Sequence, residues 1–417
     1  MAAGTGEGKR RERSPTPSYR GLTEGNDMTH DRKSAISILR TAICGFAIAV
    51  LFVTSATAGD EEKPAVTGRN SKIQLSGVGW ATYRYQLQRD THSASDGRHL
   101  TTLATKDMNL FDVDRVYLTG DYAFDDRYNW QTTIEMTNVA GDPRIYVKRA
   151  FLKIKSPFAI ANTFVQMGQI AHVMTPSVEK VWGYRSVAKI GIDRYLGIST
   201  TWNGLGFGFT GGQGLVDAEF AVANENAYNK ITATKYKTFQ GRVTLTPLPT
   251  DEALKGLKIA LWGQMNSSAP PSGFQPKAAD NTNMWLGVFP SFQASKLTVA
   301  GEFEMKKDKT PSLAGAPPTE EVTTKTSRLL SGWVAYDVTA RVRAFARLEQ
   351  YDPNTDKDIA GDALTTLNAG VSHNMVKGVR SIIDLEYTKF QEPKTAPATW
   401  KKLDSDMTLS ARLEVSL

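Results

Sequence analysis

The chain has 417 residues, 41% of them hydrophobic, with 50 Lys and Arg, 43 Asp and Glu and one cysteine. A single cysteine excludes a disulfide-stapled secreted domain. The net charge of +7 comes without a basic patch interleaved with aromatics, so nucleic acid is not among the expected partners.

Residues 1–27 are polar, rich in Gly, Arg, Glu and Ser, and lack apolar periodicity. They read as a disordered or misassigned extension. Met28 opens a different pattern. Arg32, Lys33 and Arg40 precede the apolar run Ala42 to Val53, and Ala56-Thr57-Ala58 follows. A basic stretch, a short apolar run and a small-residue site make a secretory signal peptide over 28–58, with cleavage expected after Ala58. The run is too short for a transmembrane helix, which needs about 20 residues. Cys44 lies within it and would leave with it. Residues 1–58 hold 8 basic and 5 acidic side chains, which leaves 42 and 38 in the exported part. No later stretch resembles a membrane-spanning helix.

Residues 59–72 form a short polar lead-in. From 73 to 417 the chain reads as one domain of alternating strands. The first, Ile73 to Leu87, carries apolar or aromatic residues at its odd positions. Residues 88–108, with His92 and His99, read as a loop. Arg115 to Phe124 and Tyr128 to Met136 then flank the turn Asp125-Asp126-Arg127 as a hairpin. Lys148 to Lys155 turns at Ser156-Pro157 and returns as Thr163 to Ile170. Further alternation is found near 196–210, 215–224, 238–246, 257–265, 284–294, 297–305, 328–337, 341–350, 364–372 and 379–388. The last strand runs from Leu409 to Leu417, apolar at Leu409, Ala411, Leu413, Val415 and Leu417 and polar between.

About sixteen strands result. Short turns alternate with long polar loops at 88–108, 138–146, 171–195, 225–237, 267–283, 306–326, 352–363 and 389–404. Outer-membrane barrels sort their connections in this way, and closure of the last strand on the first removes the exposed edges. The fold class expected is therefore an all-β, transmembrane antiparallel barrel in the outer membrane, surrounded by lipid.

On each strand the face opposite the oily one carries charge. The basic set is Arg84, Arg115, Arg149, Lys153, Lys155, Arg242, Lys258, Arg341, Arg343, Arg347, Arg380 and Arg412. The acidic set is Asp121, Glu135, Glu302, Glu304, Glu349, Asp384, Glu386 and Glu414. A dry core could not hold so many ions, since each costs several kcal/mol when buried alone. A water-filled lumen can hold them, and barrels of this size enclose one. Two basic rows, Arg341-Arg343-Arg347 and Arg149-Lys153-Lys155, either pass anions from site to site or pair with the acids and hold the wall together.

Gly168-Gln169, Thr175-Pro176 and Glu179-Lys180-Val181-Trp182-Gly183-Tyr184-Arg185 carry a family likeness. Together with Phe151-Leu152-Lys153, Asn226 to Lys230 and Phe239 to Val243, they resemble the phosphate-selective porin O and P family and the wider group of bacterial porins around it. The resemblance implies a sixteen-stranded barrel, usually a homotrimer, with a constriction loop folded into the pore after the fifth strand. By position that loop is about 171–195, with Glu179, Lys180, Arg185, Lys189, Asp193 and Arg194.

The function expected is passive diffusion of small hydrophilic solutes and ions, with a mild anion preference. The alternative is a barrel that acts as scaffold or adhesin through its loops. An enzyme is not expected. The five histidines, His30, His92, His99, His172 and His373, stand in no metal or Ser/His/Asp spacing, and no cofactor is implied.

Overall fold

The computed structural model describes residues 73–88, 107–139, 142–228, 234–268, 281–314, 319–356, 363–391 and 405–417. The extension, the signal peptide with its cleavage site, the lead-in, His92 and His99 lie outside them.

Sixteen strands form one closed antiparallel barrel in which each pairs with its neighbour in sequence and the last pairs with the first. In chain order they are β1 (Ile73–Gln88), β2 (Asn109–Ala123), β3 (Tyr128–Val139), β4 (Asp142–Lys155), β5 (Thr163–Ala171), β6 (Thr201–Gly211), β7 (Val216–Ala227) and β8 (Lys237–Leu245). The second half is β9 (Leu257–Ser268), β10 (Asn281–Gln293), β11 (Leu297–Ala314), β12 (Thr319–Asp337), β13 (Val342–Asp352), β14 (Leu364–Val376), β15 (Val379–Phe390) and β16 (Asp406–Ser416). β1 closes on β16 through pairs such as Thr82 with Arg412 and Ala81 with Leu413.

Alternation decides which face each residue takes. On β16, Leu413 is 41% exposed and points outward, whereas Arg412 is 8% exposed and points inward. Leu286, Leu330, Leu348, Val371 and Ile383 continue the oily outer belt. Such a face would be intolerable in water over so large an area; in a bilayer it is the stable arrangement.

Strand boundaries depart from the alternation at several places. The expected strand 196–210 begins only at Thr201, because Leu196 and Ile198 are buried in the preceding loop. β2 begins at Asn109, six residues before Arg115. The expected loops at 138–146 and 306–326 are largely strand: β3 runs to Val139 and β4 starts at Asp142, while β11 runs to Ala314 and β12 starts at Thr319. Backbone pairing needs no oily face, so a strand that rises out of the apolar belt keeps its ladder and loses its alternation.

Two bulges re-aim side chains. Between Thr133 and Ile134 of β3 the partner strand slips from Arg149 to Val147, which turns Lys148 inward beside Arg149. Between Trp80 and Ala81 of β1 the partner slips from Arg115 to Val113, which brings Asp114 inward.

Candidate functional site: a constriction inside the barrel

The segment between β5 and β6 does not leave the barrel; it folds into the lumen. Its first helix is α1 (Thr175–Trp182), with proline in the first turn, where a missing N–H costs least. The N–H groups of Met174 and Thr175 donate to Nδ1 of His172 at 3.1 and 3.4 Å, and Nε2 of His172 meets Oε1 of Gln264 on β9 at 3.0 Å. Nδ1 is thus the acceptor and Nε2 carries the hydrogen. Burial pushes the His172 pKa down to about 3, so the ring is neutral in the range where cells live.

Thr175, Val178 and Trp182 form the buried face of α1. Gly183 ends the helix in the left-handed region at φ 70°, which favours glycine. A short helix α2 (Gly191–Arg194) follows. A Cβ on Gly191 would meet Leu329 at 2.3 Å, so glycine lets the loop lie flat against β12.

The bed for this loop is apolar. Trp262, Trp285, Phe289, Trp333, Phe345 and Ile382 point inward from β9, β10, β12, β13 and β15, and receive Met174, Trp182, Tyr184, Ile190, Ile192, Leu196 and Ile198. Tyr184 stacks on Phe345 at 4.0 Å, and Trp182 meets Trp333 edge-on at 5.7 Å. One side of the barrel interior is therefore a dry protein core.

Arginines from the wall then clamp the loop. Arg412 donates to Ser186 O at 2.6 Å while holding Asp384 at 2.5 Å. Arg380 donates to Gly183 O at 2.8 Å, pairs with Glu414 at 2.8 Å and lies over the Tyr184 ring. Arg194 of the loop grips both oxygens of Glu386 at 2.9 Å. Arg347 donates to Lys189 O at 3.1 Å, pairs with Glu349, and has its guanidinium 4.9 Å from the Trp182 ring centre.

Arg347 does not line the channel: its side chain is 0% exposed, as are those of Glu302 and Glu349 beside it. Glu304 is buried with them. The expectation that these strand charges face water fails because the docked loop covers them. Arg341 lies in the turn before β13, not in the strand.

Opposite the bed, the free edge of the loop faces β1, β2, β15 and β16 across a cavity of about 480 Å³. Six cations line it: Arg84, Arg115, Arg185, Lys189, Arg194 and Arg412. Two carboxylates do, Asp114 and Glu386. Further acids stand behind the cations. Arg115 and Lys148 both reach Glu135, at 3.0 and 3.2 Å, and Glu135 is nearly inaccessible. Arg194 has Glu349 behind it at 3.6 Å, and Arg185 and Lys189 share Asp193. In the pairs of Arg115 with Glu135, Arg194 with Glu349 and Lys189 with Asp193, the cation is the more exposed partner.

The remaining candidates lie elsewhere. Glu179 pairs with Arg185 at 2.9 Å, and Lys180 is exposed on α1. Arg149, Lys153 and Lys155 follow one another down the inner face of β4, with Lys153 Nζ 3.8 Å from the Phe164 ring centre. Arg242 pairs with Asp217 at 2.6 Å, and Arg343 with Asp337 at 3.5 Å near the short-turn end.

Sequence reasoning missed Lys148, Asp114 and the apolar bed. The bed had a visible cue: in Ile259-Ala260-Leu261-Trp262 and around Trp333 and Phe345, both faces of the strand are apolar.

No protein-family profile matches the chain, and no curated protein matches its sequence. Solved structures do match its fold. The outer-membrane protein OmpT of Vibrio cholerae aligns over 85% of this chain and 100% of its own, at 11% identity and a TM-score of 0.55. The anion-selective porin of Comamonas acidovorans aligns over 83% and 99%, at 12% identity and 0.59. The outer-membrane channel DcaP of Acinetobacter baumannii aligns over 83% and 97%, at 11% identity and 0.58. The chain has the fold of the outer-membrane β-barrels. At such low identity the likeness defines architecture alone.

Proposed function

We propose that this protein is an outer-membrane channel for passive diffusion of small hydrophilic solutes, with a mild preference for anions. The reading rests on one observation: six cations against two carboxylates around the constriction, with Glu135 and Glu349 set behind them. A solute at that point meets positive ends of ion pairs in a narrow, low-dielectric passage, which favours anions without binding them tightly. The resemblance of 168–185 to the phosphate-selective porin O and P family puts phosphate among the candidate permeants.

The test is planar-bilayer recording of the purified protein across a KCl gradient. A reversal potential of the sign set by chloride, at measurable single-channel conductance, is expected. A cation-selective channel overturns the anion preference, and absence of conductance overturns the channel.

Export through a signal peptide cleaved after Ala58 belongs to the same reading, so N-terminal sequencing of the exported protein is expected to begin at Gly59. A homotrimer also belongs to it. At the long-loop end of β2 and β4 the outward Phe111 and Ile145 are exposed apolar residues, and one solved form of the Vibrio cholerae protein is a trimer.

A further inference from the structure

The outer surface of the barrel is not uniform at its long-loop end. Outward positions of β2 and β4 there are apolar: Phe111, Val113, Ile145 and Val147. On the opposite side, β11 to β15, the oily belt ends in cations. Phe303 and Leu330 are exposed apolar residues on β11 and β12. Two positions above Leu330 on its own face stands Arg328, and Lys307 and Lys309 continue the outward face of β11. Register carries the row sideways: Leu330 pairs with Gln350, Gln350 with Thr365, and Thr365 with Lys389.

Arg328, Leu330, Phe303 and Lys389 line one outward cavity of about 700 Å³ at the ends of β13, β14 and β15. Phe303 and Leu330 make one end of it apolar, Gln350 and Thr365 lie along its middle, Lys389 closes the other end of that row, and Arg328 stands above Leu330. Arg328, Lys307 and Lys389 make no ion pair with any described residue, whereas the neighbouring inward Lys306 pairs with Asp308 at 3.1 Å. One acid is present, Asp352 opposite Arg328; its Oδ1 accepts the N–H of Asn354 at 3.0 Å.

An unpaired cation at the edge of an apolar belt is placed where membrane headgroups lie. We propose that this cavity is a binding site for a phosphorylated, acylated lipid of the outer leaflet. Its acyl chains lie on Phe303 and Leu330, and its phosphates lie against Arg328 and Lys389. The proposal rests on the reading of the protein as an outer-membrane channel with its long loops outside. Arg328 and Lys389 stand three strand spacings apart and two residues offset along the strand, about 16 Å in all, a width that suits a headgroup with two phosphates better than a single ion. Guanidinium recognises phosphate with paired donors, and the lysine adds a point charge. Among the described residues, the outward apolar positions Phe111, Val113, Ile145 and Val147 of β2 and β4 alternate with no outward Lys or Arg.

The test uses the purified full-length protein in detergent, with retention of diphosphorylated lipid A and of chemically dephosphorylated lipid A compared by native mass spectrometry. Wild type is expected to retain the phosphorylated form preferentially. The double variant Arg328→Gln/Lys389→Gln is expected to lose at least about tenfold in that retention, since each basic group near an anionic lipid surface contributes measurably, while its channel conductance stays at wild type. Equal retention of the two lipids, or unchanged retention by the variant, overturns the proposal. Full displacement by millimolar inorganic phosphate overturns the lipid as occupant and leaves a simple anion site. Conductance measured on the same preparation separates the two readings: a conducting protein without lipid preference refutes the lipid site alone.

Discussion

Replacing Trp182 by alanine probes whether the loop is held by its own core. The indole is 1% exposed and sits among Tyr184, Trp333 and Phe345 at ring distances of 5.5, 5.7 and 5.9 Å. Truncating a buried tryptophan costs about 3–5 kcal/mol. Three edge-on aromatic neighbours and the Arg347 guanidinium put this one at the upper end of that range. The lost hydrogen bond from Nε1 to Ala188 O, 3.0 Å long, adds about 1 kcal/mol. A total near 5 kcal/mol shifts the docking equilibrium of the loop more than a thousandfold. The wall is untouched, because Trp182 takes no part in any strand ladder. The variant is therefore expected to remain a folded, heat-modifiable barrel in which the loop leaves its bed. Single-channel recordings should show a larger and noisier conductance, and trypsin should cut at Arg185 and Lys189. Wild-type conductance together with wild-type resistance to trypsin would refute the idea that this contact sets the channel width.

Three other outcomes are expected. Lys189→Gln removes the most exposed cation of the loop edge, 47% accessible, and should lower the anion-to-cation permeability ratio about twofold, the effect of one charge acting through water at roughly 8 Å; an unchanged reversal potential contradicts it. Docking of the loop should weaken in acid. His172 has its folded pKa pushed down to about 3 against an ordinary 6.5, so its contribution is intact above pH 6.5 and is lost as pH falls toward 3. At pH 4 the penalty reaches about 3 kcal/mol, and trypsin-independent probes of the loop, such as pepsin cleavage near α1, should show it, whereas His172→Ala should show a release that no longer depends on this step. Leu385→Arg, outward in mid-strand on β15, should cost about 2–4 kcal/mol and lower the temperature at which the barrel loses its compact gel mobility; an unchanged transition would mean that this face is not in lipid.

The cylinder was legible because its physics is local. A strand between lipid and water must alternate, and Leu409 to Leu417 does so at every position. The strand ends were not, since above the belt both faces meet water and only the backbone ladder remains, as in β11 and β12. The charges that face the barrel interior were half legible. Arg84, Arg115 and Arg412 could be placed inward by parity, and the resemblance located Arg185, Lys189 and Arg194. Parity cannot tell a wet inward side chain from one roofed over by a loop, and Arg347 with Glu302 and Glu349 fell on the wrong side of that distinction. Bulges were illegible too: Lys148 and Asp114 each occupy a position that strict alternation assigns to lipid.

The anchoring of the loop also dictates an order of assembly. Tyr184 bonds to Ser372, 188 residues later, and Ser186 to Arg412, 226 residues later. Contacts of that separation form late, since a long stretch of chain must be closed first. The bed itself is built from strands that follow the loop in sequence. During insertion, Trp182 and Tyr184 thus wait without a home until the second half of the wall is in place, and the nascent cylinder passes through a stage wider and leakier than the finished one.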